Sequence, residues 1–194
     1  MTQQAGHNCP HLTRRNMIGA TGAAAVAATP ALLAPDSARA AAILQPARPE
    51  DEGFMRAALD IARQHDKRYA AVIVGDGAVI ADGYNPGRNA PGGWNPTNHG
   101  EMVAIRNCVD KNGAEALQGA TIYTTGEPCP MCMGAAVWSR IGRVVYAVPI
   151  SRIATQRNQI MVPCTEIAER AAFVEISVTG GVLEDEAWRL FDPS

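Results

Sequence analysis

Residues 121–132 read TIYTTGEPCPMC, a β-branched run that leads through a turn into two cysteines three positions apart. The run predicts a strand, and after Pro128 the sequence predicts a helix that continues to about Arg140. Cys129 and Cys132 then lie on the first turn of that helix, so both sulfur atoms can point the same way. A strand followed closely by a helix is typical of layered α/β domains.

The rest of the chain alternates strand-like and helix-like patterns around this unit. Predicted strands cover residues 69–74, 78–84, 121–125, 144–148 and 174–178. Helical patterns begin at residues 53, 99 and 129, one or two helices fall within 151–170, and a last one covers 184–191. An Asp76-Gly77 pair between the first two strands predicts a tight hairpin. The alternation predicts one layered α/β domain whose second half is largely parallel.

A second motif, His99-Gly100-Glu101, opens a predicted helix that Asn98 is placed to cap and Gly113 to end. One imidazole and the two thiolates give three ligands, which leaves a fourth tetrahedral position for water, as a catalytic zinc needs. Glu101 lies two residues from His99. That spacing keeps its carboxylate off the metal and can place it beside the metal-bound water.

These residues also have other interpretations. A C-x-x-C pair after a strand can be a redox pair, although the upstream histidine motif disfavours this. His65 is best explained as part of a solvated helix end. Cys108 and Cys164 fit small core positions, and a disulfide between them stays open.

Residues 1–40 have the parts of an export signal. A basic start with Arg14-Arg15 precedes a mildly apolar run over 17–28 and a small-x-small end at 38–40. The paired arginines resemble the twin-arginine type, which implies the twin-arginine export machinery as a partner of the precursor and a periplasmic or secreted location. The apolar run is shorter than the roughly 20 residues that a membrane span needs, so we expect none in the mature form.

Composition and net charge limit the number of domains and the kinds of partner that the chain can have. The 194 residues are 47% hydrophobic and 19% charged, which fits one folded domain with an appendage. We predict a signal peptide over 1–40, a linker over 41–52 and one domain over 53–194. Beyond residue 40, 14 basic side chains face 18 acidic ones, a balance of −4. We therefore expect no stable nucleic-acid partner from the net charge, a count that a local basic patch would escape.

The combination of motifs resembles the cytidine/deoxycytidylate deaminase-like superfamily, which carries H-x-E and P-C-x-x-C. The nearest branch contains guanine deaminase, cytosine deaminase and the tRNA adenosine deaminases. The resemblance is carried by AVIV at 71–74, HGEMVAIR at 99–106, YTT at 123–125 and EPCPMCMGA at 127–135. It implies a three-layer α/β/α sandwich with a five-stranded mixed sheet, and a homodimer.

The resemblance also implies the site. One Zn²⁺ per chain would be bound by His99, Cys129 and Cys132, with Glu101 as the catalytic proton shuttle. The implied function is hydrolytic deamination of a nucleobase or nucleoside with a guanine- or cytosine-like amidine ring, which releases ammonia. The alternatives are a tRNA adenosine deaminase-like enzyme, which the predicted export and the acidic charge disfavour, and a non-catalytic zinc-binding protein, which Glu101 disfavours.

Four further residues are implied as substrate contacts. Asn85 matches an asparagine that hydrogen-bonds the base or sugar, or it is a turn residue before Pro86. The backbone N–H of Gly100 or Cys129 could hold a substrate carbonyl. Trp188 and Phe191 resemble the aromatic tail that closes over the base in guanine deaminases, and we expect them to contact substrate within one subunit or across a dimer interface. However, residues 154–159 read ATQRNQ and lack the Asp-rich stretch of that branch, which leaves the base unidentified.

Overall fold

A computed structural model describes residues 43–89 and 93–192. The predicted signal peptide over residues 1–40, with its arginine pair, lies outside these ranges, and the export route stays a prediction. Within them, no helix has the length and apolar character needed to cross a membrane.

Six α-helices and five strands are formed by the described residues. The helices are α1 (Asp51–Arg63), α2 (Gly100–Asn112), α3 (Pro130–Trp138), α4 (Ile150–Ile153), α5 (Cys164–Arg170) and α6 (Glu184–Phe191). The strands are β1 (Ala70–Gly75), β2 (Ala78–Tyr84), β3 (Thr121–Gly126), β4 (Arg143–Val148) and β5 (Ser177–Thr179). Short 3₁₀ turns cover Gly87–Asn89 and Ala114–Leu117.

The five strands form one mixed sheet in the order β2-β1-β3-β4-β5. Strand β1 is antiparallel to both of its neighbours, and β3, β4 and β5 are parallel. The β1–β2 hairpin turns at Asp76 and Gly77, both with positive φ (51° and 75°), which two-residue hairpin turns of type I′ require. The predicted hairpin and the parallel second half are therefore confirmed.

Helices cover both faces of the sheet. On one face α2, α3 and α5 pack over Ile73, Ile122 and Val144, and on the other α1 and α6 pack over Val72 and Val145. Neighbouring residues on each central strand point to opposite faces, so a strand that is apolar throughout is buried on both. This is the predicted three-layer α/β/α sandwich.

Several local predictions need correction. Residues 43–52 are not a free linker, because Leu44 pairs with Val178 and α1 already begins at Asp51. The N-cap of α2 is His99 rather than Asn98, whose side chain instead accepts a hydrogen bond from Arg106. The last strand is only three residues long, since the chain turns at residues 172–173 and pairs with β4 no earlier than residue 177.

A buried ion pair, absent from the sequence predictions, anchors α1 to the sheet. Asp51 accepts two hydrogen bonds from Arg143, at 2.6 and 2.7 Å, and both side chains are almost fully buried. Tyr123 and the Arg48 N–H also donate to Asp51. Burial alone raises the pKa of Asp51, but these hydrogen bonds, led by Arg143, bring it below its usual value.

Arg143→Met should lower the free energy of unfolding by about 3–5 kcal/mol, because it leaves the Asp51 carboxylate buried without its partner. Urea denaturation monitored by circular dichroism measures this. Arg170→Met, which removes an exposed pair with Glu166, is the control and should change stability by less than about 1 kcal/mol. Equal effects of the two substitutions would contradict the anchoring role.

Candidate active site

The site lies at one edge of the sheet, where the carboxyl ends of β2, β3 and β4 meet the amino end of β1. Chain segments that leave or enter the sheet there surround a cavity of about 450 Å³. Open α/β sheets bind their ligands at this kind of edge. The lining residues are Lys67, Tyr69, Asn85, Gly87, Arg88, Trp94, His99, Glu101, Glu127, Cys129, Ile153, Arg157, Asn158 and Gln159.

Two helix N-termini bring three metal-ligating side chains together at this cavity. His99 is the N-cap of α2, Cys129 is the N-cap of α3, and Cys132 lies in the first turn of α3. The His99 Nδ1 atom lies 3.6 Å from the Cys129 Sγ and 3.5 Å from the Cys132 Sγ. The two sulfur atoms are 3.6 Å apart. Among the described residues, this is the one group of three or more such side chains close enough to hold a metal ion.

The geometry of this triangle fits zinc. Tetrahedral bonds of about 2.3 Å to sulfur and 2.0–2.1 Å to nitrogen place two sulfurs about 3.8 Å apart and a sulfur and a nitrogen about 3.6 Å apart. The measured separations agree within about 0.2 Å. Soft thiolates with one imidazole also favour zinc over harder cations. The zinc site predicted from the sequence is therefore confirmed.

Electrostatics around the sulfur atoms prepare them for a cation. The hydrogen bond from Cys132, with a further one from His99, lowers the pKa of Cys129 to about 4 against the opposing effect of burial. The same bond and burial raise the pKa of Cys132. Both thiols lie in the positive field at the start of α3, and a coordinating thiol is deprotonated outright when metal binds.

Gly100 has a packing role that the sequence did not suggest. A Cβ atom there would lie 2.9 Å from the Ala70 Cα and 3.0 Å from the Tyr69 carbonyl oxygen. Any larger residue would push the start of α2 away from β1 and would move His99 with it. The backbone of α2 thus needs glycine between the ligand and Glu101.

Glu101 is buried beside the ligands. It is 7% exposed, lines the same cavity as His99 and Cys129, and lies in the first turn of α2. Burial raises the pKa of its carboxyl group to about 7. The structure therefore places the predicted proton shuttle at the cavity, with its carboxyl group next to the metal-binding triangle.

Asn85 lines the cavity and also makes a turn, and its contact with substrate stays a prediction. Its Oδ1 accepts a hydrogen bond from the Gly87 N–H at 2.9 Å. The amide Nδ2 makes no hydrogen bond to any residue that the structure describes, which leaves two donors for a ligand. The side chain lies half-buried in the cavity wall.

Trp188 and Phe191 do not line this cavity. Phe191 is buried behind Tyr69, with ring centroids 5.0 Å apart, and Tyr69, like Trp94, is an aromatic residue that lines the cavity. Trp188 packs against Arg152 on α4. Neither tail aromatic therefore lines the cavity within one subunit, because α6 lies one layer behind the site. Contact across a homodimer interface stays a prediction.

Glu127 is a buried carboxylate at the cavity for which the sequence predicted no role. Its two oxygens accept hydrogen bonds, each 2.8 Å long, from the Ile150 N–H at the start of α4 and the Cys164 N–H at the start of α5. The segment between these helices carries Arg157 to the cavity wall. One carboxylate thus joins the zinc-binding turn to the opposite wall. Cys164, like Cys108, is a buried free thiol.

Comparisons with known proteins agree with this geometry. The family described as the cytidine and deoxycytidylate deaminase zinc-binding region matches residues 48–148. Guanine deaminase of Bacillus subtilis is 37% identical over 128 residues, which cover 63% of this chain and 80% of that protein. The tRNA-specific adenosine deaminase of Haemophilus influenzae is 41% identical over 104 residues, 50% of this chain and 57% of that protein.

The fold has solved counterparts as well. Guanine deaminase from Nitrosomonas europaea superposes with a TM-score of 0.62 at 23% identity, covering 76% of this chain and 84% of that one. The chain belongs to the cytidine and deoxycytidylate deaminase family. It is a zinc-dependent deaminase of that family with a His–Cys–Cys metal site.

Purified protein should contain about one zinc per chain, and Cys132→Ala should weaken zinc binding by more than about 100-fold. Loss of a residue that only hydrogen-bonds to a metal ligand already lowers metal affinity about 10–100-fold, and Cys132 is a ligand itself. Atomic emission after dialysis against a chelator measures this. Cys108→Ala, which removes a buried cysteine outside the triangle, should keep its zinc. Retention of zinc by Cys132→Ala would overturn the ligand assignment.

Glu127→Gln should raise KM about tenfold while zinc content stays unchanged. The amide can accept only one of the two main-chain hydrogen bonds, which leaves a buried N–H unsatisfied and loosens the wall that carries Arg157. Steady-state kinetics and metal analysis measure the two effects. Glu166→Gln, at an exposed position on α5, is the matched control. A KM within twofold of wild type would exclude the positioning role.

Proposed function

We propose that this deaminase removes the exocyclic amino group of a nucleobase or nucleoside with a guanine- or cytosine-like amidine ring and releases ammonia. The observation that carries the proposal is the buried Glu101 carboxyl group beside the His99, Cys129 and Cys132 triangle, with Glu101, His99 and Cys129 lining one cavity. A site built only to hold zinc has no need of that carboxyl group. The cavity is large enough for a purine or pyrimidine and open to solvent on one side.

Glu101 moves the protons in this mechanism. Zn²⁺, when bound, is a Lewis acid that lowers the pKa of a water ligand toward 7. Glu101 accepts a proton from the attacking water and passes it to the ring nitrogen next to the amine-bearing carbon. It then transfers the second water proton to the amino group, which departs as ammonia and leaves a carbonyl on the ring. Water supplies every atom and proton that the reaction needs.

Other residues bind and orient the ring. The free Asn85 amide donors suit a carbonyl or ring nitrogen of the base or a sugar hydroxyl. Main-chain N–H groups at the start of α2 and α3, including that of Gly100, point out of these helix ends. They favour a carbonyl oxygen or a negatively charged group of the substrate there. Tyr69 supplies an aromatic wall, with a ring half-buried between Phe191 and the guanidinium of Arg157.

The relatives support a purine as the first substrate to assay. Similarity to a guanine deaminase extends over 80% of that protein, whereas similarity to the tRNA-specific enzyme extends over 57% of it. Beyond residue 40 the chain has a net charge of −4, which disfavours a large polyanion such as tRNA. Free guanine and guanosine therefore precede tRNA in the order of testing.

Glu101→Gln should keep zinc and fold but lose activity by at least about 10²–10⁴-fold, because an amide cannot carry the proton. Ammonia release with guanine, guanosine, cytosine and cytidine measures activity, and metal analysis measures zinc. Asp110→Asn, an exposed carboxylate near the far end of α2, is the matched control and should retain activity. Activity of Glu101→Gln within tenfold of wild type would contradict the proton-transfer role of Glu101.

A further inference from the structure

We propose that the substrate of this site carries a phosphate group, held at the mouth of the cavity by Lys67, Arg88 and Arg157. The substrate class is then a nucleoside monophosphate. This inference rests on the proposed function, because the same cavity holds the base, and it adds the part of the substrate that lies farthest from the metal-binding triangle.

The three cations come from three separate segments that converge on one opening. Lys67 precedes β1, Arg88 lies in the 3₁₀ turn after β2, and Arg157 follows α4. All three side chains are exposed and line the cavity that also contains His99 and Glu101. Because these segments lie far apart along the chain, the fold alone creates the cationic mouth.

No carboxylate neutralises these cations within the part of the chain that the structure describes. Their side chains take part in none of its ion pairs, whereas Arg63 and Arg152 each bridge two acidic residues. The two carboxylates that line the cavity, Glu101 and Glu127, are buried at 7% and 8% exposure. Every charged side chain at the solvent-facing mouth of the cavity is therefore basic, although Asp66 lines the adjoining depression.

Packing of their uncharged parts holds the cations in place. The Lys67 stem crosses Gly87 so closely that a Cβ there would lie 2.9 Å from the Lys67 Cε. The guanidinium of Arg88 lies 5.8 Å from the Trp94 ring centroid, and that of Arg157 lies 5.8 Å from the Tyr69 ring centroid. Long basic side chains commonly pack in this way while their charged ends stay in water. These ends remain available to an anion.

A phosphate monoester complements this arrangement. It carries about −1.5 to −2 charges near pH 7 and presents three acceptor oxygens, and arginine matches phosphate with paired N–H donors. A neutral base or nucleoside would leave three like charges around the opening without a counter-charge. A protein that binds a polynucleotide usually neutralises many phosphates. Three cations on a domain of net charge −4 are better suited to a single phosphate group.

The test compares guanine, cytosine and adenine, each as free base, nucleoside and 5′-monophosphate, by ammonia release. We expect kcat/KM for at least one monophosphate to exceed that of its nucleoside about tenfold or more. Lys67→Gln, Arg88→Gln and Arg157→Gln should each lower that ratio about three- to tenfold, since exposed charge-assisted hydrogen bonds are partly screened. Lys111→Gln, at the opposite end of α2 from His99, is the control and should leave the ratio unchanged.

A binding arm separates this inference from the proposed function. Calorimetry with zinc-loaded Glu101→Gln measures Kd for the same nine compounds and for a 15-nucleotide single-stranded RNA, at low and moderate salt. Tighter binding of a monophosphate than of its nucleoside supports the inference whether or not ammonia is released. Deamination of bases or nucleosides without a preference for phosphate in either assay would overturn the inference and leave the proposed function standing. RNA that binds tenfold more tightly than any monophosphate would also overturn it.

Discussion

The structure depends on one geometric constraint, which is that three ligand atoms from two helices must lie within about 3.6 Å of one another. Neither helix can meet this requirement alone, since α2 supplies only His99 and α3 supplies Cys129 and Cys132. The N-termini of α2 and α3 must therefore converge, and both helices must pack on the same face of the sheet. The order of the strands and the close contact at Gly100 serve this convergence.

Reversal of β1 is what makes the convergence feasible. Strand β1 is antiparallel to β2 and β3, so its amino end lies beside the carboxyl ends of both. The backbone at Ala70 then abuts Gly100, at the position where a side chain would not fit. A wholly parallel sheet would carry the segment before β1, with Lys67 and Tyr69, to the opposite edge, and the cavity would lose one wall.

Two glutamates at the same cavity show how surroundings assign roles to identical side chains. The side chains of Glu101 and Glu127 are both more than nine-tenths buried. Both oxygens of Glu127 accept hydrogen bonds from main-chain N–H groups at the starts of α4 and α5, so this side chain has a structural role. Among the described residues, Glu101 accepts no comparable pair of main-chain hydrogen bonds, and burial raises its pKa to about 7. This difference agrees with the proton transfer that we propose for Glu101.

The sequence by itself determined the metal ligands, the α/β class and most of the strands and helices. It did so because three-residue spacing on a helix turn, apolar β-branched runs in strands and an Asp-Gly turn are local properties of the chain. Only the tertiary structure decided the Asp51–Arg143 pair, the bridging role of Glu127 and the placement of Phe191 behind Tyr69. These contacts join residues 23 to 122 positions apart in the chain. No local pattern specifies which distant partners meet, because that depends on strand order and on which face each helix covers.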